Sequence, residues 1–120
     1  MTIAVSSLGP TLDDRVDERF GRAAYLLIVD EGTLDVHAVD NSANRDALQG
    51  SGLGAAEITS EHGATAVITG HLGPKAFSAL QRCGISGYDG TGMTVREAVE
   101  KQRTGQLVRL AEGESHAGMD

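Results

Sequence analysis

A near-continuous apolar run at residues 24–30, with the sequence AYLLIVD, constrains the fold of this chain more than any other segment. Strands that are covered on both faces carry such runs, whereas half-exposed strands alternate apolar and polar residues. The run therefore predicts a buried central strand. Residues 33–40 do alternate and follow a tight turn at Glu31 and Gly32, so the two segments are predicted to form a hairpin whose second strand is half exposed.

The rest of the chain reads as alternating strands and helices. Strands are predicted at Thr2–Ser7, 24–30, 33–40, 64–69 and 85–88, and helices at 53–62, Pro74–Arg82 and 94–103. The second helix has Pro74 in its first turn and Gly84 just past its end, the usual asymmetry of helix termini. The third begins with Thr94 as N-cap and Glu97 three residues later, which is the sequence of a capping box. In the first helix, Leu53, Ala56 and Ile58 are predicted to face inward.

This order predicts an α/β fold. Alternation after residue 50 implies parallel strands with right-handed crossovers, and the opening hairpin adds antiparallel pairs to the same sheet. The predicted architecture is a mixed five-stranded sheet in the order β-β-β-α-β-α-β-α, with helices on both faces. Its 120 residues are enough for one domain, predicted at 1–112, and the small polar residues 113–120 are predicted to form a disordered tail.

Charge and composition exclude several classes of function. The formal net charge is −7, so we expect binding neither to a nucleic-acid phosphate backbone nor to an anionic membrane surface. Only four residues are Phe or Tyr, so a base-stacking platform is not expected either. The one cysteine, Cys83, excludes an internal disulfide and a cage of cysteines, and it is predicted to be a small buried residue. No apolar run is long enough to span a bilayer and no signal peptide is recognisable, so a cytoplasmic location is expected.

Ligands of open α/β sheets bind beyond the carboxyl ends of the strands, where the strand order reverses. Here the predicted reversal lies between the first strand and the strand at 64–69. The two helices that begin nearby expose N–H groups and partial positive charge, which favour an anion. Half of the ten basic residues also lie in or beside these loops: Arg15, Arg19, Arg22, Arg45 and Lys75. The residues predicted to form the site are Ser7, Leu8, Arg45, Gly50, Gly52, Gly54, Gly70, His71, Leu72 and Lys75.

Motifs for catalysis are weak or missing in the sequence. Residues 50–55 fit the dinucleotide pattern G-x-G-x-x-A, but a polar loop precedes them instead of a strand. There is no phosphate-binding G-x-x-x-x-G-K-[ST] loop, no Ser-His-Asp set and no carboxylate on the first strand. A non-enzymatic protein is therefore expected. His71, in a glycine-flanked turn, is either a hydrogen-bonded loop residue or a ligand of a soft metal.

Three blocks of this sequence resemble the dinitrogenase iron–molybdenum cofactor biosynthesis family. The blocks are DRVDERFGR at 14–22 with Tyr25 and residues 28–30, VITGHLGPKAF at 67–77 with Leu80 and residues 84–85, and TVREAV at 94–99 with residues 105–107. They occur in order and cover residues 2 to 108. The small, free-standing branch of orange proteins is similar in length and in its poverty of Cys and His.

The resemblance implies a ribonuclease H-like fold without nuclease activity. It also implies a carrier of an anionic molybdenum-containing metal–sulfide cluster, of the molybdenum–copper type or, alternatively, of the iron–molybdenum type. Sulfide fills the coordination of such a cluster, so N–H groups, cationic side chains and apolar walls can hold it non-covalently. Two alternatives stay open: an acidic regulatory domain that docks on a partner protein, and an enzyme for small anionic substrates.

Overall fold

The computed structural model describes residues 1–47 and 49–111 of the chain. Its elements are, in chain order, β1 (Thr2–Ser7), β2 (Tyr25–Asp30), β3 (Val36–Asp40), α1 (Ser42–Arg45), α2 (Ser51–Glu61), β4 (Ala66–Thr69), α3 (Pro74–Arg82), β5 (Ser86–Asp89) and α4 (Val95–Arg103). The end of the predicted domain at residue 112 and the predicted tail at 113–120 lie outside the described residues.

The strands form one mixed sheet in the order β3-β2-β1-β4-β5. β2 pairs antiparallel with both β1 and β3, while β4 pairs parallel with β1 and with β5. The apolar run of β2 thus forms a buried inner strand, as predicted, but the central position of the sheet belongs to β1. The strand order reverses between β1 and β4, which confirms the predicted reversal point and the mixed α/β architecture of the ribonuclease H-like type.

Alternation along the inner strands separates two apolar layers, one on each face of the sheet. On β1, Ala4 belongs to the layer covered by α2 and α3, whereas Ile3 and Val5 belong to the layer covered by α4. Both faces of the inner strands are therefore buried, and this explains why the sequence of β2 is apolar throughout. The three-layer arrangement also places the N-termini of α2 and α3 on the same side of the sheet.

The inner face of α2 includes Ala56 and the partly buried Ile58, as predicted, but not Leu53. Leu53 is 38% exposed and Ile58 is only partly buried, while Ala55, Ala56 and Thr59 face the core. The reason is the close approach of α2 to α3: a Cβ added to Gly52 would lie 3.1 Å from the Cβ of Ala76. Small residues therefore occupy the contact, and the larger Leu53 lies outside it.

The prediction that Cys83 is buried is wrong, because the structure places it at the exposed C-cap of α3. The chain turns there at Gly84, whose φ of 72° is in the left-handed region that favours glycine. Leu80 and Ile85 fill the core on either side of this turn, and the Ile85 N–H donates to the Leu80 carbonyl at 2.9 Å. The thiol is left on the outside of the turn.

The segment after β3 contains α1, a four-residue helix that the sequence pattern does not predict. The buried side chain of Asn41 orders this region. Its Nδ2 donates to the Gly21 and Ala23 carbonyls at 3.0 and 2.9 Å, and its Oδ1 accepts from Asn44 at 3.0 Å. These bonds tie the loop after β3 to the loop before β2.

Candidate functional site

A groove of about 530 Å³ lies at the reversal point, where the first turns of α2 and α3 meet the loop before β2. Three segments form it: residues 18–22, residues 50–53, and His71 with residues 73–76. We call it the switch-point groove. Its lining residues are Glu18, Arg19, Phe20, Gly21, Arg22, Gly50, Ser51, Gly52, Leu53, His71, Gly73, Pro74, Lys75 and Ala76.

Both helices begin at the groove with glycine as the N-cap. Gly50 has a φ of 79°, and Gly73 is extended and followed by Pro74 at the first helical position. Glycine has no side chain to accept from the first-turn N–H groups, and neither first turn contains an acidic residue. In contrast, α4 has a complete capping box between Thr94 and Glu97. The groove therefore receives the positive ends of two helix dipoles, and no acidic residue or side-chain cap within either first turn neutralises them.

First-turn N–H groups of both helices belong to residues that line the groove. In α2 the first helical hydrogen bond runs from the Gly54 N–H to the Gly50 carbonyl at 2.9 Å. In α3 it runs from the Phe77 N–H to the Gly73 carbonyl, also at 2.9 Å. The N–H groups of Ser51, Gly52, Lys75 and Ala76 precede those bonds and have no partner within their own helix. Such N–H groups are the usual donors to anions at helix N-termini.

The loop before β2 lies directly on the first turn of α2. A Cβ added to Gly21 would be 2.5 Å from the Gly52 nitrogen and 2.6 Å from the Ser51 carbonyl carbon. Only glycine permits this backbone-to-backbone approach without a shift. The contact places Phe20 and Arg22, on either side of Gly21, in the lining of the groove.

Arg19 is held at the groove by the buried carboxylate of Asp17. Its Nε and Nη2 donate to the two carboxylate oxygens at 3.1 Å each, and its backbone N–H donates to Oδ1 at 3.0 Å. Asp17 is only 4% exposed, whereas the Arg19 side chain is 62% exposed. The hydrogen bonds and the charge of Asp17 raise the pKa of Arg19, so this guanidinium stays charged.

Arg22 and Lys75 supply the other positive charges of the lining, and Glu18 supplies a carboxylate. Arg22 Nη1 donates to the Arg45 and Ala47 carbonyls at 2.6 and 2.9 Å, so it also anchors the loop that leads into α2. Lys75 occupies the second position of α3 and is exposed. Three cationic side chains and one anionic side chain thus line the groove of a chain whose net charge is −7.

The structure brings together some of the predicted site residues and separates others. Gly50, Gly52, His71 and Lys75 line the groove. Backbone pairing of His71 with Arg19 brings the end of β4 to the loop before β2. Ser7 is buried and donates to the Gly9 carbonyl at 2.7 Å, and Gly70 is buried against Glu18 and Thr91. Both residues are buried, and neither is part of the groove lining.

Leu8, Leu72, Arg45 and Gly54 lie away from the lining. Leu72 is 1% exposed within the core, and Leu8 borders another shallow pocket, so neither of these predicted site residues supplies an apolar wall to the groove. Phe20 and Leu53 take that place. Arg45 is paired with Asp46 at 3.5 Å, and Gly54 faces the Asn44 side chain.

Sequence reasoning placed Arg19 and Arg22 near the site but did not select them. The available signal was their position in the segment ERFGR, where two arginines flank an aromatic residue and a glycine. The sequence could not show that Gly21 packs on the first turn of α2, which places both arginines in the groove lining.

Fold and site together define a three-layer α/β protein whose strand ends carry a basic groove between two helix N-termini. Within this class, the chain belongs to the dinitrogenase iron–molybdenum cofactor family, whose sequence model matches residues 1–105. This membership groups the chain with cofactor-binding or carrier proteins.

Individual relatives agree with this assignment over most of their length. The apo form of the orange protein from Desulfovibrio gigas is 43% identical, with a TM-score of 0.89 over 95% of this chain and 96% of that one. A putative NifB protein from Thermotoga is 30% identical, with a TM-score of 0.81 over 96% and 97% of the two chains. An uncharacterized protein of Methanocaldococcus jannaschii is 26% identical over 103 residues, 84% of this chain and 87% of the relative.

In residues 1–47 and 49–111, none of the helices is long and apolar enough to cross a membrane.

Proposed function

We propose that this protein is a non-enzymatic carrier of an anionic molybdenum-containing metal–sulfide cluster, held non-covalently in the switch-point groove. The observation that carries the proposal is the convergence of two glycine-capped helix N-termini and three cationic side chains at one groove of an acidic protein. Family membership, and a 43% identical relative whose structure was solved as an apo form, support a bound cofactor of this kind.

The residues of the groove suit a sulfide-coated anion better than a bare metal ion. A bare ion needs several side-chain ligands, and the described lining offers His71 and Glu18 as its only imidazole or carboxylate. A cluster whose metals are already coordinated by sulfide needs donors to its surface instead. The N–H groups of the two first turns and the side chains of Lys75, Arg22 and Arg19 are such donors.

The walls and size of the groove are compatible with a compact guest. Phe20 and Leu53 border it with apolar surface, which excludes water and strengthens the attraction between charges. Its volume of about 530 Å³ falls within the range of roughly 300–1,000 Å³ that is usual for small-molecule sites. The proposed guest is the molybdenum–copper sulfide type, and the iron–molybdenum type is the alternative composition.

The test is titration of the apo-protein with tetrathiomolybdate and copper under anaerobic conditions, followed by visible absorption and by metal analysis after gel filtration. We expect a coloured complex that co-elutes with the protein. A charge-assisted contact contributes about 1.5–3 kcal/mol. Because Lys75 is exposed, we expect Lys75→Ala to weaken binding near the lower end, by about tenfold.

Matched controls lie on α4, across the sheet from the groove. Lys101→Ala removes the same side chain from an exposed helical position, and Arg96→Ala removes an exposed guanidinium from the same helix. Neither control should change the affinity. If Lys75→Ala and Lys101→Ala lost the same amount of cluster affinity, general charge attraction would explain the binding and the groove would have no specific role. Loss of the coloured complex in Cys83→Ala alone would make a thiolate the anchor and contradict non-covalent holding.

A further inference from the structure

Two histidines meet at the end of α2 that is remote from the switch-point groove. His37 lies on the edge strand β3, and His62 is the C-cap of α2. Their ring centroids are 5.5 Å apart, the ring planes are inclined by 32°, and both side chains are exposed. We propose that His37 and His62 form a binding site for a borderline divalent metal ion of the zinc type, separate from the groove.

The tautomer of His62 is suited to metal binding. Its Nδ1 lies 2.9 Å from the Ile58 carbonyl oxygen, which can only accept a hydrogen bond, so Nδ1 carries the proton of the neutral ring. Nε2 therefore keeps its lone pair. Histidines that ligate metals characteristically donate their other ring N–H to a carbonyl or carboxylate, and this bond fixes the ring orientation.

The ring separation matches two ligands on one ion. With zinc–nitrogen bonds of about 2.0–2.1 Å, each ring centroid lies about 3.2 Å from the metal. A tetrahedral angle at the metal then separates the centroids by about 5.2 Å, close to the observed 5.5 Å.

Both histidines are carried by regular backbone. His37 is opposite Ile28 in the antiparallel pairing of β3 with β2, and the His62 N–H donates to the Ile58 carbonyl at 3.1 Å as the last helical bond of α2. The backbone thus places the two side chains near each other before any ion binds, which lowers the entropic cost of binding.

Imidazole ligands select zinc, copper, nickel and iron over magnesium and calcium. Among the described residues there is no group of three or more His, Cys, Asp or Glu side chains arranged to hold a metal. The pair therefore supplies two ligands and water completes the coordination. We expect exchangeable binding that the net charge of −7 assists.

The experiment is calorimetric titration of the full-length apo-protein with zinc chloride, without any cluster present. We expect one site, and a loss of affinity of at least tenfold in His37→Ala and in His62→Ala. His116→Ala is the matched control, because it removes a histidine near the C-terminal end of the sequence. Magnesium at a hundredfold excess should not compete. Circular dichroism checks that the variants are folded, and His62→Asn, whose amide keeps an N–H donor at the δ position for the Ile58 carbonyl, must also lose zinc.

Location is tested with substoichiometric copper(II), which broadens nearby amide resonances. We expect residues 36–38 and 61–63 to broaden first. Zinc affinity that is unchanged in both histidine variants, or broadening that begins elsewhere, would overturn the proposal and leave the pair as a packing contact. Lys75→Ala should bind zinc normally, so this result and the cluster titration can fail independently.

Discussion

Replacing Asp17 by Asn tests how the loop before β2 is held at the groove. The Asp17 carboxylate is 4% exposed and accepts three hydrogen bonds from Arg19, one from its backbone N–H and two from its guanidinium. Asn has the same shape, but one carboxylate oxygen becomes an NH₂ group. That group faces a guanidinium N–H, so one charge-assisted hydrogen bond is replaced by two opposed donors.

We expect Asp17→Asn to lower the free energy of unfolding by about 1.5–3 kcal/mol, the usual value of a hydrogen bond to a charged group. The destabilisation should lower the melting temperature by several degrees, since about 1 kcal/mol corresponds to roughly 4 °C in a domain of this size. Urea unfolding followed by circular dichroism measures the first quantity, and calorimetry measures the second.

Asp13→Asn is the matched control for this prediction. Asp13 lies in the same loop and pairs with Arg96 at 3.1 Å, but its side chain is 78% exposed. Water and salt screen such a pair, which contributes about 0–1 kcal/mol. If both variants lost the same small amount of stability, the burial of Asp17 would not matter and the argument for a loop fixed by this pair would be refuted.

Other substitutions test the remaining elements. Gly21→Ala should lower the free energy of unfolding by about 1–3 kcal/mol in urea titrations, because the new methyl group meets only the backbone of α2; wild-type stability would mean that this approach is not tight. Thr94→Ala removes the N-cap of α4 and should cost about 0.5–2 kcal/mol, measured in the same way, with Thr104→Ala after that helix as a nearly neutral comparison. Hydrogen bonds from Thr94 lower the pKa of Glu97, and those from Thr33 and Gly32 lower the pKa of Asp30. These carboxylates therefore stabilise the fold above their ordinary pKa range, and the contribution is lost as the pH falls through their lowered pKa values. Acid unfolding of Glu97→Gln should accordingly approach that of the wild type at low pH, and a difference that grew with acidity would contradict this sign.

Local sequence signals were sufficient where an element depends on its own residues. The bounds of α3 follow from Pro74 at its start and Gly84 after its end, and the capping box of α4 is visible as Thr94 and Glu97. The apolar run at 24–30 predicted an inner strand because two covered faces leave no position for polar side chains. The predicted strand order also indicated that the groove lies at the carboxyl ends of β1 and β4, where the order reverses.

The contacts between segments were decided only by the tertiary structure. Leu53 is outside the helix contact because Gly52 and Ala76 draw α2 and α3 together, and no periodicity within α2 records the shape of its neighbour. Likewise Arg19 and Arg22 line the groove because Asp17, Gly21 and backbone pairing with His71 fold their loop onto two helix ends. Residues distant in sequence share such a site only after the chain has packed, so composition could indicate a basic groove but not which cations form it.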